Sequence, residues 1–218
     1  MKGKTVHESY KNLVWETMEE RDIGVLILLF GGGNDSGGIT ETLSYSTLLP
    51  PGATYEYQNW GDEEVLVEDE NGESIALIKT NQPWPDSNAK RLLPDDMPEE
   101  VHRKTYHDLA QSASLWHGFL DYDEPLSDKW TAAMALADFI ENENVFGEKS
   151  GNVAANLRQG YKTHLLELIV EVPIDIAYGG FAGDYEVNGA LVWDRANRIV
   201  IMIGTESFNE HRGLERSF

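Results

Sequence analysis

The sequence predicts an α+β fold, in which an antiparallel sheet of glycine-rich hairpins packs against several helices. Two observations lead to this expectation. Strand-like runs separated by glycine-rich turns occupy both ends of the chain, and helix-like periodicity dominates its middle. Strands followed by helices and then by strands again are typical of α+β chains, whereas regular alternation of strand and helix would indicate a parallel sheet.

The first elements are an amphipathic helix and a hairpin. Residues 6–20 place apolar side chains at helical spacing, so they predict a helix with one apolar face. An apolar run then predicts a buried strand, and an alternating run predicts a half-buried strand; these runs are Val25 to Phe30 and Ile39 to Tyr45. Leu49-Pro50-Pro51-Gly52 ends this pattern.

Three further strand-like runs follow, at Tyr55 to Trp60, Val65 to Val67 and Ile75 to Ile78. Asn71-Gly72, between the last two runs, predicts a tight turn. The next segment, Asn81 to Pro98, contains four prolines and little periodicity, which indicates an extended connection.

The remaining middle of the chain predicts helices. Pro98 to Trp116 and Ser127 to Ile140 have helical spacing, and Ser127 is a natural N-cap. Ala154 to Val172 fits a helix or a buried strand, and we favour the helix. We therefore expect a single α+β domain over residues 1–218, with residues 81–160 as a mainly helical insertion.

The chain closes with a second glycine-rich system. Gly179-Gly180-Phe181-Ala182-Gly183 precedes strand-like segments at Asp184 to Val187, Ala190 to Trp193 and Arg198 to Ile203, with Asn188-Gly189 between the first two. This pattern predicts another β-hairpin arrangement.

The most conspicuous motif is the glycine-rich octet Gly31 to Gly38, which resembles three enzymatic motifs and satisfies none. A P-loop needs Lys and Ser or Thr after its last glycine and then a helix, as a dinucleotide-binding turn also needs a helix. A trypsin-like nucleophile at Ser36 would need His and Asp upstream of it, and the 35 residues before Ser36 are too few to place both in the usual arrangement. Ordinary turn chemistry explains the octet, although a hairpin needs fewer residues. Its length favours a mobile or partner-facing loop made of Gly32, Gly33, Asn34, Asp35, Ser36 and Gly37.

Charge is the second strong feature. The net charge is −21, from 38 acidic and 17 basic residues, which disfavours direct binding to nucleic acid and to anionic membranes. Eight carboxylates and no Lys or Arg lie between Thr54 and Ile78. They fit a solvated surface that maintains solubility, or a decoy of the nucleic-acid backbone that binds an Arg- and Lys-lined groove. The decoy interpretation selects the partner-binding residues Glu63, Glu64, Glu68, Asp69 and Glu70. Trp84, in an irregular segment beside acidic residues, is predicted either to bind a partner as an exposed aromatic residue or, as we favour, to pack its own loop onto the core.

No cofactor or metal is expected. The chain has no cysteine, which excludes disulfides and thiolate chemistry. His102 and His107 are five residues apart, which places them on different sides of a helix, and Asp121 to Glu124 lacks the pattern of a calcium loop. No apolar run approaches the ~18 residues of a membrane span. We therefore expect a cytoplasmic protein without a membrane partner.

The two glycine segments carry a resemblance. Gly31-Gly32-Gly33, Asp35-Ser36-Gly37 and Ile39, preceded by a helix, resemble the start of an uncharacterised family from phages, plasmids and bacterial genomes with a Gly-Gly-Gly-Asp-Ser-Gly hairpin. The closing segment from Gly179 to Gly183, followed by Val187, Leu191, Asp194 and Arg198, is similar to that family's end. In this chain Asn34 interrupts the contiguous motif, and the middle looks like an insertion. The resemblance implies an α+β fold and a mobile-element setting, and it implies no activity.

These observations lead to one expectation and two alternatives. We expect a non-enzymatic, acidic binding or inhibitor protein of phage or mobile-element origin that acts on a host protein. A nucleic-acid-handling or defence protein with a basic surface is the natural target. One alternative is a small-molecule-binding protein or enzyme, in which Asp35 and Ser36 converge with Asp184 and Asp194. The other is a self-assembling structural protein, and the sequence leaves the oligomeric state open.

Overall fold

The protein is described from a computed structural model, which covers residues 6–34, 36–59, 63–85, 125–126, 135, 137–144, 147–179, 181, 185–208 and 211–217. Its elements are a helix α1 (Glu8–Glu20), strands β1 (Val25–Gly33), β2 (Ser36–Tyr45), β3 (Thr54–Asn59) and β4 (Glu63–Glu68), a short 3-10 helix (Gly147–Lys149), a helix α2 (Ser150–Tyr178), and strands β5 (Glu186–Asp194), β6 (Ile199–Ser207) and β7 (His211–Ser217). The fold is α+β, as predicted.

The chain divides into two compact units. The first comprises Met1–Val6, Lys11–Trp84 and Val170–Phe218, and the second comprises His7–Tyr10 and Pro85–Ile169. The predicted single domain with an insertion at residues 81–160 stays a prediction. The helix predicted from Pro98 to Trp116 and the start of the one predicted at Ser127 lie outside the described residues, whereas residues 137–142 are helical.

The first unit contains a five-stranded antiparallel sheet with the strand order β2-β1-β5-β6-β7. Both strand faces of β1 are buried, because alternate residues pack against different layers. One face of the sheet packs against helices. The rings of Trp15 on α1 and Trp193 meet edge to face with their centroids 5.1 Å apart. Trp193 Nε1 also donates a hydrogen bond to the Val170 carbonyl of α2. The helix that we favour at Ala154 to Val172 is confirmed, because α2 includes all of these residues.

The other face of the sheet packs against a second, two-stranded sheet made of β3 and β4. Nine buried residues form the core between them: Val25, Ile27, Leu29, Leu49, Val65, Val67, Ala190, Val192 and Ile203. Side chains point alternately to the two faces of a strand. Because Val65 and Val67 point into this core, Glu64, Leu66 and Glu68 on β4 point away from it.

Residues 73–80 connect the edges of the two sheets. Ser74 pairs with Glu68 of β4, and Lys79 pairs with Tyr45 of β2, both in antiparallel bridges. The Ser46 amide donates to the Ile78 carbonyl at 2.8 Å. The predicted strand at Ile75 to Ile78 is wrong, since this segment makes isolated bridges to two different sheets rather than one continuous ladder.

The second hairpin system also differs from its prediction. Asn188 and Gly189 lie inside β5, paired with Thr205 and Gly204 of β6, and the chain reverses instead at residues 195–198. Gly189 lacks a side chain for a packing reason, because a Cβ there would lie 2.4 Å from the Ile203 carbonyl oxygen. An Asn-Gly pair therefore marks close strand packing here rather than a turn.

The described part of the second unit contains helix-to-helix packing. Ala137 and Ile140 are buried, as are Ala154 and Leu157 on α2. The Arg158 guanidinium bonds the carboxylates of Asp138 and Glu141, and these hydrogen bonds raise its pKa. This ion-pair cluster is exposed, so it contributes little stability.

Candidate functional site

The glycine octet forms strands, not a long loop. β1 continues through Gly33 and β2 begins at Ser36, and these two residues pair in the antiparallel ladder. The connection is therefore Asn34-Asp35 alone, with Asn34 at φ +53°, in the left-handed region that hairpin turns use. Asp35 itself lies outside the described residues. The predicted mobile or partner-facing loop is wrong in its extent, since four of its six residues belong to the ladder.

Phe181 explains two of the glycines. Gly32 and Gly37 are paired across the hairpin, and the Phe181 ring lies against both. A Cβ on Gly32 would lie 2.3 Å from Phe181 Cδ1, and a Cβ on Gly37 would lie 2.5 Å from Phe181 Cγ. Real Cβ atoms do not approach other heavy atoms so closely, so the bare backbone is the surface on which this ring packs.

The neighbouring glycines are confined by β5 and the residue before it. A Cβ on Gly31 would lie 2.7 Å from Asn188 Oδ1. Gly33 has φ +148° and would place a Cβ 1.9 Å from the Tyr185 carbonyl oxygen, so both its conformation and its surroundings favour glycine. Close packing inside the first unit therefore accounts for Gly31 and Gly33 as well.

An aromatic cluster surrounds this contact. The rings of Tyr178 and Phe181 are stacked, with their centroids 6.0 Å apart. The Tyr178 ring also contacts Phe30 and Tyr185, and the Tyr185 ring contacts Phe208. Phe181 has φ +62°, and its amide donates to the Tyr178 carbonyl in the turn that ends α2. This turn aims the ring at the glycines. The sequence contained a signal for it, because the closing glycine segment has a single aromatic residue at its centre.

Asp194 lies far along the sheet from the Asn34-Asp35 turn. Gly33 pairs with Glu186 at one end of β5, whereas Asp194 pairs with Val25 at the other. At about 3.3 Å per residue, the eight-residue separation is on the order of 26 Å. The register therefore opposes the predicted convergence of Asp35 with Asp194, and Asp184 lies outside the described residues.

Asp194, on β5 of the five-stranded sheet, is instead hydrogen-bonded to the β3–β4 hairpin. Its carboxylate is fully buried and accepts hydrogen bonds from the Tyr55 hydroxyl at 2.6 Å and from the Asn197 side chain at 2.6 Å. Burial and the bond to Asp194 raise the pKa of Tyr55 far above its usual value. The hydroxyl therefore stays protonated and donates, which is a structural role for this carboxylate.

The acidic segment forms the β3–β4 hairpin, and its outward face carries three carboxylates. Tyr55, Tyr57, Val65 and Val67 pack inward. The alternate positions hold Glu56 on β3 with Glu64 and Glu68 on β4, and the register pairs Glu56 with Leu66. Glu56 and Glu64 are exposed, Glu68 is half-buried, and none of the three forms an ion pair with a described residue.

Asp69 differs from these carboxylates. Its side chain accepts hydrogen bonds from the Glu73 amide at 2.9 Å and from the Asn71 amide at 2.8 Å, within the turn that contains Gly72 at φ +78°. The bonds from Glu73 and then Asn71 lower the pKa of Asp69. Asp69 is thus occupied by its own turn, which confirms the tight turn predicted at Asn71-Gly72.

The other predicted partner-binding residues are scattered. Glu63 begins β4 opposite Asn59, and Glu70 is exposed in the turn after β4. Trp84 is only 7% exposed, and its amide donates to Ser44 Oγ at 3.0 Å. Of the two alternatives for Trp84, the structure therefore supports the one in which this side chain packs its own segment onto the protein.

Two exposed aliphatic residues were missed from the sequence. Leu48 is 58% exposed and Ile78 is 64% exposed, on adjoining segments of the first unit. The sequence signal for Ile78 was the alternation from Ser74 to Ile78, in which Ile75 and Leu77 pack inward and Ala76 and Ile78 are exposed.

Glu41 is a further acidic residue that the sequence did not single out. Burial, and then the charges of Glu41 and Glu64, raise the pKa of Tyr45.

Comparisons with known proteins add no family. The chain matches no protein-family model, no curated protein and no solved structure. Within the described residues, no three His, Asp or Glu side chains gather as a metal site requires, and no helix is long and apolar enough to cross a bilayer.

Proposed function

We propose that the protein is a binding or inhibitor protein whose acidic β3–β4 hairpin binds a basic surface of another protein. The single observation that carries this proposal is the outward face with Glu56, Glu64 and Glu68, which form no ion pair with a described residue. Carboxylates on a solvent-facing side of a hairpin are accessible to an incoming cation.

The overall charge supports the same partner chemistry. A net charge of −21 attracts basic surfaces over distances comparable to the Debye length and accelerates association with them. Grooves that bind nucleic acid are lined with Lys and Arg, so a row of carboxylates competes for them by mimicking nucleic-acid charge. A host nucleic-acid-handling or defence protein in the cytoplasm therefore fits best. The resemblance of both glycine segments to phage and plasmid proteins supports a mobile-element setting.

The test compares two variants with equal charge. The first changes Glu56, Glu64 and Glu68 to Gln, and the second changes the exposed Glu16, Glu143 and Glu148 to Gln. Each tagged protein is used to capture partners from host lysate at low and at high salt, followed by mass spectrometry and affinity measurement with the purified partner.

We expect a nucleic-acid-binding protein that is retained at low salt, lost at high salt, and displaced by DNA or RNA. The hairpin variant should weaken its binding by roughly tenfold to a hundredfold, and the control variant by less than about threefold, because close charges contribute more than distant, screened ones. Equal losses in both variants would reduce the effect to net charge and would contradict a hairpin interface.

A further inference from the structure

Leu48 and Ile78 lie close together on the surface. The bridge between Tyr45 and Lys79 aligns the two segments in antiparallel orientation. The Ser46 amide donates to the Ile78 carbonyl, and the Ile78 amide donates to Thr47 Oγ1, both at 2.8 Å. Continuing this antiparallel register places Ile78 opposite Ser46 and Leu48 opposite Ala76, so Leu48 and Ile78 are diagonal neighbours on paired segments.

The same surface continues onto the acidic hairpin. Glu68 and Ser74 face each other, with the Asp69 amide bonded to the Glu73 carbonyl and the Ile75 amide to the Val67 carbonyl on either side. From that pair, Ala76 and Ile78 follow at intervals of two residues along one segment. Leu66 and Glu64 precede it at the same interval along β4. Residues at this spacing share a face of β4. On the other segment, Ile75 and Leu77 pack inward while Ala76 and Ile78 are exposed, which places these two on the same outer side.

Aliphatic residues therefore stand beside carboxylates on one surface. We call Leu48, Leu66, Ala76 and Ile78 the outer patch, and Glu56, Glu64 and Glu68 its acidic border. Glu64 is adjacent to this patch, because it shares the outward face of β4 with Leu66. Large exposed aliphatic residues surrounded by charge are the composition of a protein-binding surface with an apolar centre and a polar rim.

We propose that the outer patch is the docking surface for an extended basic segment of a partner protein. An apolar side chain of that segment packs on Leu48 and Ile78, and its Lys or Arg side chains pair with Glu64 and Glu68. This inference rests on the proposed function and adds that binding has an apolar anchor. Charge complementarity selects the occupant: a second copy of this chain would place the acidic borders against each other, which is unfavourable.

Two defined peptides provide the probe. In one labelled peptide Lys alternates with Val, and in the other Lys alternates with Ser, so both have the same charge and only the first has apolar side chains. Affinity is measured by fluorescence anisotropy at low salt and at about 1 M NaCl, where the Debye length is about 3 Å.

The wild-type protein should bind the Val peptide roughly tenfold more tightly than the Ser peptide, as expected for one buried aliphatic contact, and should retain this preference at high salt. Ile78→Ser and Leu48→Ser should each remove most of the preference without changing the affinity for the Ser peptide. Phe208→Ser, at another exposed apolar residue, should leave both affinities unchanged. Circular dichroism confirms that each variant is folded.

Each other outcome overturns the inference. Equal affinities for the two peptides in the wild-type protein would mean that only charge is recognised, and the proposed function would stand without an apolar anchor. Failure of both peptides to bind would remove this docking mode, while the lysate comparison would still decide the proposed function. A dimer in sedimentation velocity that Ile78→Ser converts to monomer would assign the patch to self-association.

Discussion

The β1–β2 hairpin and the β3–β4 hairpin differ in where their side chains make contacts. At its glycine-rich end, β1–β2 offers bare backbone to Phe181, which comes from the distant end of α2. β3–β4 buries its tyrosines and valines and turns carboxylates outward. A conspicuous motif thus serves internal packing, and a segment without a recognisable motif presents the surface that we propose for partner binding.

Adding one carbon atom to the first hairpin should have the largest effect. Gly32→Ala places a Cβ against both the Phe181 ring and the Gly37 backbone, so we expect a loss of roughly 2–3 kcal/mol in the free energy of unfolding. Gly38→Ala is the matched control, because nothing lies within 4 Å of its Cβ position. It should change stability by less than about 1 kcal/mol. Urea denaturation measures both.

A double-mutant cycle refines this test. Phe181→Ala, made in the wild-type and in the Gly32→Ala background, should remove part of the penalty of the added carbon, because contacting residues are not additive. If Gly32→Ala and Gly38→Ala were equally stable, the glycines would not be required by packing, and the contrast between the two hairpins would disappear.

Loosening the second hairpin should have a smaller effect. Asp194→Ala removes the acceptor of the Tyr55 hydroxyl and the Asn197 amide, so we expect a loss of about 2 kcal/mol in the free energy of unfolding. Tyr55→Phe should lose about 1 kcal/mol. Tyr45→Phe is its control, since Tyr45 is also half-buried in the same core region. A larger loss for Tyr45→Phe than for Tyr55→Phe would contradict the role of Asp194.

The pH dependence of the Tyr55 contact has a definite sign. The folded state raises the pKa of Tyr55 above its unfolded value of about 10. Its contribution is therefore fully present below about pH 10 and is lost as the pH rises toward the folded-state pKa. In an absorbance titration, the wild-type protein should show one tyrosine that ionises only after the others. Tyr55→Phe should lack this late step.

Asp69, in the turn after the acidic hairpin, should give the smallest effect, and it separates a structural carboxylate from the exposed carboxylates of that hairpin. Because hydrogen bonds from the Glu73 and Asn71 amides lower its pKa, its contribution is present above the unfolded value of about 3.9 and is lost as the pH falls through the lower folded-state pKa. Carboxyl NMR should show this low titration, and Asp69→Ala should lose the corresponding acid dependence of stability. Glu70→Ala, next to it in the turn, should leave that dependence intact. Titration of Asp69 in the ordinary Asp range would contradict its role in the turn.

The elements that the sequence predicted correctly depend on local patterns. Apolar spacing in α1, the apolar run of β1 and the alternation in β2 specify their own secondary structure, because helix and strand periods are properties of adjacent residues. The α+β class and the reversal at Asn71-Gly72 follow in the same way. The strand predicted at Ile75 to Ile78 failed because its alternation is real but its pairing is divided between two sheets.

The candidate site was harder to predict. The sequence identified the acidic segment, and the register showed that Glu64 and Glu68 share a face while Asp69 bonds its own turn. The alternation around Ile78 indicates which side of its segment faces the core, but it does not decide whether another segment covers Ile78 or Leu48, because exposure of an aliphatic residue depends on its tertiary neighbours. The burial of Trp84 likewise depends on an irregular segment that folds back and bonds Ser44.

The sequence by itself determined the charge, the absence of cysteine, the helices and strands with clear periods, and the tight turn at Asn71-Gly72 that follows β4. Only the tertiary structure decided what the glycines contact and which carboxylates form no ion pair with another described residue. The physical reason is that the meaning of a missing side chain depends on its neighbours. Gly32 is bare because a ring from residue 181 lies on it, and no local pattern around residue 32 contains that ring.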